Sequence, residues 1–450
     1  MHKISLAVIA ICFAVFMAGC ISFNPGYGSQ YDQADTLNDE NDAKDSDDPE
    51  EVDPETLINN INFTVRINNT GYEPLSTKTA VVEAESDIGD IQEELKFEIC
   101  ESETGDPVYK NNVRNGKYAD FTDFDKEGIY YIEIGDDRSE EFAIKKGNYN
   151  NLLTSVILRN DIPVSIDTVE DMIFCCELAA DHITAFELFE KETLDTTQNI
   201  KPKTVERAEK AVKSLIALYD TEENKILMDM DKRSELLYSA VLAKFSGSCS
   251  QYDGELSGDC LKIAKKVYRE ACKEEIEETD NDALYWASAE LYRACGEKGY
   301  KNKTEELIQK EIYSGFSMTE CGYYGSLSYL MTTYKVDMEL SKLVMQAIID
   351  DSIKLSNKRI MDIYNGNKGQ EDVEEEYIDS VLSDIRLLML ANHISESLVY
   401  IDTAQICYDH LAGLNPQGCD YIIDKESEFS DKSKAFILFG FINSYIAERD

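Results

Sequence analysis

The run Phe63-Thr64-Val65-Arg66-Ile67-Asn68-Asn69-Thr70-Gly71-Tyr72 alternates apolar and polar side chains over its first five residues, then meets Asn68-Asn69-Thr70-Gly71. Period-two alternation that ends on Asn and Gly is the pattern of a half-buried strand and its turn. The pattern repeats downstream. Thr79-Ala80-Val81-Val82-Glu83 follows, and Lys96-Phe97-Glu98-Ile99-Cys100 alternates before a turn at Thr104-Gly105-Asp106-Pro107. Gly128-Ile129-Tyr130-Tyr131-Ile132-Glu133-Ile134 alternates before Gly135-Asp136-Asp137, and Glu141-Phe142-Ala143-Ile144 closes the set. Short strands with turns at this spacing predict an immunoglobulin-like β-sandwich over residues 59–147.

From about residue 166 the apolar period lengthens to that of helices. Stripes at i, i+3, i+4 predict helices over 201–219, 233–245, 259–276, 282–295 and 304–313. Further helices fit 322–334, 339–355, 373–393, 398–411 and 432–448, with one or two more between Asp167 and Glu190. Residues 148–450 therefore read as an all-α domain, either a helical array or a closed α/α barrel. The fold class expected from these patterns is an immunoglobulin-like β-sandwich followed by an all-α domain.

The start of the chain has a different character. His2 and Lys3 precede an apolar run from Ile4 to Met17, which Ala18-Gly19-Cys20 closes. The run is short for a transmembrane span and suits the central region of a signal peptide. Small residues before a cysteine resemble the lipobox of bacterial lipoproteins. Residues 1–20 are then a lipoprotein signal peptide and Cys20 the lipidation site, a membrane anchor on the extracytoplasmic face. A plain secretory signal is the other reading. Residues 21–58 are rich in Asp and Glu and poor in apolar side chains, the composition of a disordered, self-repelling tether.

Net charge is −44, from 88 acidic and 44 basic residues. Such a surface repels nucleic acid, whose phosphates need basic patches, and repels anionic lipid headgroups. It is compatible with a neutral polysaccharide or a surface protein as partner. Twelve cysteines are present. Cys12 leaves with the signal and Cys20 carries lipid, and the ten others have no C-x-x-C or zinc-ribbon spacing. Disulfides and reduced, buried thiols both remain open. His182, His393 and His410 lie far apart in sequence, so no metal site is expected from them, and no P-loop, G-x-S-x-G or H-E-x-x-H occurs. No cofactor is expected.

Several ordered motifs resemble glycoside hydrolase family 9, the cellulase family with an N-terminal immunoglobulin-like domain. Val65-Arg66-Ile67-Asn68-Asn69-Thr70-Gly71-Tyr72 resembles the I-R-V-N-Q-x-G-Y opening of that domain, with Asn69 in place of glutamine. Phe97-Glu98-Ile99, Thr104-Gly105 and Val108-Tyr109 resemble its next hairpin, and Tyr118-Ala119-Asp120-Phe121 with Gly128 to Ile132 its D-F and G-x-Y-x-I segment. In the helical part, Ala185-Phe186-Glu187-Leu188-Phe189 is similar to A-Y-E-L-F. Trp286-Ala287-Ser288-Ala289-Glu290-Leu291-Tyr292-Arg293-Ala294-Cys295-Gly296 is similar to W-A-A-A-E-L-Y-R-A-T-G, and His410 to Gly418 to the L-L-G-x-N-P-x-G turn. The resemblance implies a six-hairpin α/α barrel and a β-glucan substrate of plant type.

It also implies an inverting mechanism, in which an acid protonates the leaving oxygen and a base activates water, roughly 6.5–9.5 Å apart. The family's base lies in W-x-D-A-G-D, which this chain lacks. A gapless count from Ala185 puts Val164-Ser165-Ile166-Asp167 over D-A-G-D, so Asp167 is the candidate base, and capping of a helix that starts at Thr168 is its other reading. The family's glutamate acid falls on Lys432, a poor acid at neutral pH, with Asp431 one residue away and Glu426 and Glu428 nearby. The P-H-H-R stretch is missing after Asn415-Pro416. Tyr323 and Tyr324, with Tyr329, are the candidate sugar platforms, core packing being the alternative. Two functions follow. One is a lipid-anchored surface protein on a degenerate cellulase scaffold, binding a glycan or a partner. The other is an active inverting β-glucanase with a non-standard acid/base pair.

Overall fold

A computed structural model describes residues 58, 61–86, 95–148, 162–163, 165–190, 201–310, 320–361, 375–415 and 417–422. Cys20, the acidic segment, Val164, Asp431, Lys432 and the helix expected at 432–448 lie outside the described residues. The boundaries expected near 20, 58 and 148 therefore stay as sequence readings. Residues 54–450 form one compact unit.

Eight antiparallel strands build the N-terminal part: β1 Phe63–Arg66, β2 Thr79–Ala84, β3 Lys96–Glu101, β4 Pro107–Arg114, β5 Tyr118–Asp120, β6 Gly128–Ile134, β7 Asp137–Arg138 and β8 Phe142–Ile144. They bond in the order β1-β2-β5-β4-β3-β6-β7, with β8 also on β6. The long β4 turns the corner, pairing with β3 along most of its length and with β5 at its end. The outer strands approach each other, and the Phe63 N–H donates to Asp137 Oδ2 at 2.6 Å. Side chains that alternate inward make one core of Phe63, Val65, Phe97, Ile99, Tyr130, Ile132, Phe142 and Ile144. Tyr72 sits edge-on against Phe121 at 5.2 Å and Phe142 at 5.5 Å. Its hydroxyl accepts from the Asn68 N–H and donates to the Thr79 carbonyl, which satisfies its buried polar tip. Gly71 makes the preceding turn possible. Its φ is +81°, and a Cβ there would lie 2.7 Å from the Ala143 carbonyl oxygen.

Ten α-helices follow in the described residues: α1 Val169–Ala185, α2 Lys203–Ile216, α3 Lys232–Cys249, α4 Gly254–Ala271, α5 Asn281–Cys295, α6 Lys298–Gln309, α7 Glu320–Met331, α8 Met338–Met361, α9 Glu375–Ile394 and α10 Leu398–Leu411. Each lies where the apolar period predicts one, and the ends differ where caps decide. The Asp253 side chain accepts from the Leu256 N–H and starts α4 five residues before the apolar stripe.

The helices alternate in kind. In α3 every residue from Leu236 to Phe245 is buried, and in α5 every residue from Asp282 to Tyr292. In α2 only one face is buried, Thr204, Val205, Ala208, Ala211, Val212 and Leu215. Helix packing runs α1 on α3, α3 on α5, α5 on α7 and α7 on α9. No described helix is long and apolar enough to cross a membrane. Of the ten cysteines from Cys100 to Cys419, only Cys419 is exposed.

Candidate functional site

Asp167 lies two residues before the first residue of α1. It is exposed, and the residue that caps α1 is its neighbour. The Thr168 hydroxyl accepts from the Asp171 N–H at 3.1 Å, and the Asp171 carboxylate accepts from the Thr168 N–H at 3.2 Å. This reciprocal pair corrects the capping alternative weighed for Asp167. The Asp167 carboxylate is left open to solvent.

Arg233, in the first turn of α3, clamps Asp282, in the first turn of α5. Its two terminal nitrogens donate to the two carboxylate oxygens at 2.7 and 2.9 Å. One also donates to the Thr279 carbonyl at 3.2 Å and the other to Cys321 Sγ at 3.7 Å. A planar guanidinium suits this fork, and the pair ties the starts of α3, α5 and α7 together.

Successive turns of α5 carry Asp282, Trp286 and Glu290 on one face, and below the clamp the interior is aromatic and then ionic. Trp286 stacks on Tyr324, with ring centroids 4.7 Å apart. The Tyr324 hydroxyl donates to Asp181, and Arg386 donates to both Asp181 oxygens at 3.2 and 2.9 Å. Trp286 Nε1 donates to Glu290 Oε1 at 3.1 Å. Lys244 Nζ bridges Glu290 at 3.3 Å and Glu187 at 3.1 Å. Glu187 also takes Arg293 at 2.6 Å and the Ser248 hydroxyl.

Glu187 projects from a π-helical turn, Phe186–Glu190, that ends α1. Burial pushes its carboxyl up, but Arg293 and Lys244 overcome that and hold it at about 2. Two carboxylates and two cations thus balance with almost no solvent contact.

The candidate platforms need correction. Tyr323 is 2% exposed and Tyr324 is 1% exposed, so neither offers a ring face to a sugar. Tyr324 is held by the indole, Asp181 and the packing of α7 on α5, and Tyr323 sits edge-on to it at 5.3 Å. Tyr329 is also interior, its hydroxyl donating to Glu305 at 3.1 Å. Among the described residues there is no cluster of metal-ligating side chains.

Asp181, Lys244 and Arg386 are absent from the candidates the sequence offers, yet they carry a signal. Each sits in a helical window that is mostly apolar, and a charge buried there requires a partner. Nothing in the sequence pairs them.

Solved glycoside hydrolases share this architecture. A metagenome-derived glycoside hydrolase family 9 endoglucanase superposes with a TM-score of 0.71 at 14% identity, over 86% of this chain and 99% of that one. A thermostable endoglucanase from Alicyclobacillus acidocaldarius gives 0.64 at 16% identity, over 80% of this chain and 83% of that one. A Bacteroides ovatus family 9 protein gives 0.65 at 12% identity, over 85% and 99%. At such identity the likeness is one of fold. No curated protein matches the chain. Residues 221–433 match the model of glycosyl hydrolase family 9, and residues 62–139 match that of the cellulase N-terminal ig-like domain. The chain thus pairs a cellulase-type Ig-like domain with a family 9 glycosyl hydrolase segment, as the motifs imply. The matched segment begins C-terminal to Asp167 and includes positions 431 and 432.

Proposed function

We propose that this protein is a lipid-anchored surface protein on a family 9 scaffold that has lost turnover and binds a glycan or a surface partner. The solved relatives named as endoglucanases make a β-glucan the ligand class. The alternation of wholly buried and one-faced helices supports a six-hairpin α/α barrel with α1, α3, α5, α7 and α9 inside. Cys20 supplies the anchor and residues 21–58 the spacer.

The observation that carries the reading is the fate of the aromatics. The chain's single tryptophan and its candidate tyrosines are spent on the interior, so the described residues at the helix-start end offer a clamped Arg233–Asp282 pair instead of a sugar platform. Two sequence features support it: D-A-G-D is missing, and Lys432 stands at the acid's place. General acid and base groups contribute roughly 10² to 10⁴ each, so loss of both leaves little turnover.

One observation favours the second reading, an active inverting β-glucanase. The Asp167 carboxylate is exposed just before α1. Reducing-sugar release from carboxymethylcellulose and other β-glucans by the 54–450 unit, beside its Asp167→Ala form, separates the two. The proposal expects no release from folded protein; retardation in a β-glucan affinity gel would assign the glycan, and its absence the surface partner. Release that Asp167→Ala abolishes would overturn it and assign the base.

A further inference from the structure

The sandwich and the helical domain meet along a polar seam with a carboxylate at its centre. Asp409, in the last turn of α10, is 3% exposed. Its Oδ1 accepts from Asn68 Nδ2 at 2.7 Å, across the seam, and from Gln405 Nε2 at 2.6 Å, one turn back on α10. Asn68 is wholly buried and fixed in turn. Its Oδ1 accepts from the Thr70 N–H at 2.8 Å and the Thr70 hydroxyl at 2.6 Å, and that hydroxyl shares a hydrogen bond with Tyr408 Oη at 2.7 Å. Around this centre the Asn69 N–H donates to the Ala412 carbonyl at 2.8 Å, and Thr77 donates to Asp402 at 3.0 Å. Val81 packs on Leu414.

Four other buried carboxylates have a cation: Asp181 has Arg386, Asp282 has Arg233, and Glu187 and Glu290 share Lys244. Asp409 has two neutral amides. Tyr72 faces it from the sandwich, where Arg66 is engaged with Glu83 at 3.3 Å. Its own helix carries Asp402 and His410, and the segment after it Asp420. Of the helices packed on α10, α8 brings Asp350 and Asp351, and α9 brings Asp384, Arg386 and His393. None of these offsets its charge. Burial dominates, the two amides oppose it in part, and the carboxyl is pushed up to about 7.

We propose that Asp409 is a proton-controlled latch between the sandwich and the helical domain: the seam is closed while the carboxyl carries its proton and loosens when that proton leaves to solvent. The folded value lies above the ordinary carboxylate value of 3.8. Between the two, the closed state holds a proton that the open state has lost. The latch is therefore complete below pH 3.8, weakens as pH rises to about 7, and changes no further above it. The closed-to-open equilibrium falls roughly 50-fold between pH 5 and pH 7, given a tenfold change per unit of offset.

Hydrogen exchange of the purified protein tests this, with rates corrected for intrinsic base catalysis. The probes are the seam amides Asn69, bonded to Ala412, and Leu414, bonded to the Asp409 carbonyl, with Ile132 in the sandwich core as reference. In the parent, protection of the two seam amides should drop by roughly 50-fold between pH 5 and pH 7 while Ile132 holds steady. In Asp409→Asn, a neutral isostere, seam protection should not vary with pH. A flat seam profile in the parent, or a slope that survives in Asp409→Asn, refutes the latch. If the variant does not fold, the parent alone decides. The infrared carbonyl stretch of a buried protonated carboxylic acid should be present at pH 5 and lost by pH 8, and its absence at pH 5 overturns the proposal.

Discussion

Replacing Lys244 by methionine isolates the charge that holds the interior together. The side chain is fully buried, with Nζ 3.1 Å from Glu187 and 3.3 Å from Glu290. At an effective dielectric of about 20, each contact carries roughly 5 kcal/mol of attraction, against several kcal/mol for taking each ion out of water. The intact cluster is therefore close to neutral in its net contribution. Removing one cation leaves two carboxylates sharing Arg293, and breaking a buried pair in this way costs about 3–5 kcal/mol. Methionine keeps the length and apolar stem, so a cavity adds little. The assay is urea unfolding followed by fluorescence, because the single tryptophan, Trp286, donates to Glu290 and reports on this cluster directly. Adding Glu290→Gln should recover at least about 1 kcal/mol of the loss, since the pair is coupled through one contact. A cost below about 1 kcal/mol for Lys244→Met, or strict additivity in the double variant, would refute the reasoning.

Glu187 gives the cluster a pH signature. Its folded value of about 2 lies below the ordinary 4.5, so its contribution of about 3 kcal/mol is complete above pH 4.5 and is lost as pH falls towards 2. Acid titration of Trp286 fluorescence should show that loss, and Glu187→Gln should flatten stability across the same window. Gly413→Ala should cost about 2–3 kcal/mol in thermal unfolding. The residue has φ +121°, and a new Cβ would lie 2.8 Å from Asn69 Cγ and 3.0 Å from the Ile67 carbonyl oxygen. Thr168→Ala should lose about 1 kcal/mol through the cap of α1, whereas Asp167→Ala should stay within about 0.5 kcal/mol. Equal stability losses for the two would mean that Asp167 is engaged in the fold.

The turn at 410–418 shows why a family motif holds its shape. Asn415 is wholly buried, and its amide donates to the carbonyls of His410 at 2.8 Å and Cys419 at 2.7 Å while accepting the Cys419 N–H at 3.1 Å. The loop it braces then receives the sandwich, with Gly413 against Asn69 and Gly418 against Arg66. The likeness at this point is one of domain docking. No sugar contact is needed to explain it.

The sequence by itself determined the two fold classes and most element positions. Alternation in Phe63–Ile67 and Gly128–Ile134, and the stripes of α2 and α4, are local patterns that burial on one face imposes. Alternation did not yield β4, whose side chains are mostly exposed; the hairpin resemblance at Val108-Tyr109 touched it, and pairing with β3 and β5 makes it a strand. Nor did it distinguish a buried Tyr324 from a sugar platform. Aromatic residues read alike until the packing of α5 against α7 is known. The charges of Asp181, Lys244, Arg386 and Asp409 stand out in apolar windows, but their roles depend on distant partners. Asp181 meets Arg386 across 205 residues, and Asn68 meets Asp409 across 341. Local periodicity is set by which face is buried, so one segment suffices to read it. Whether a buried carboxylate faces a guanidinium or a neutral amide is decided by chain segments that only the folded tertiary structure brings together.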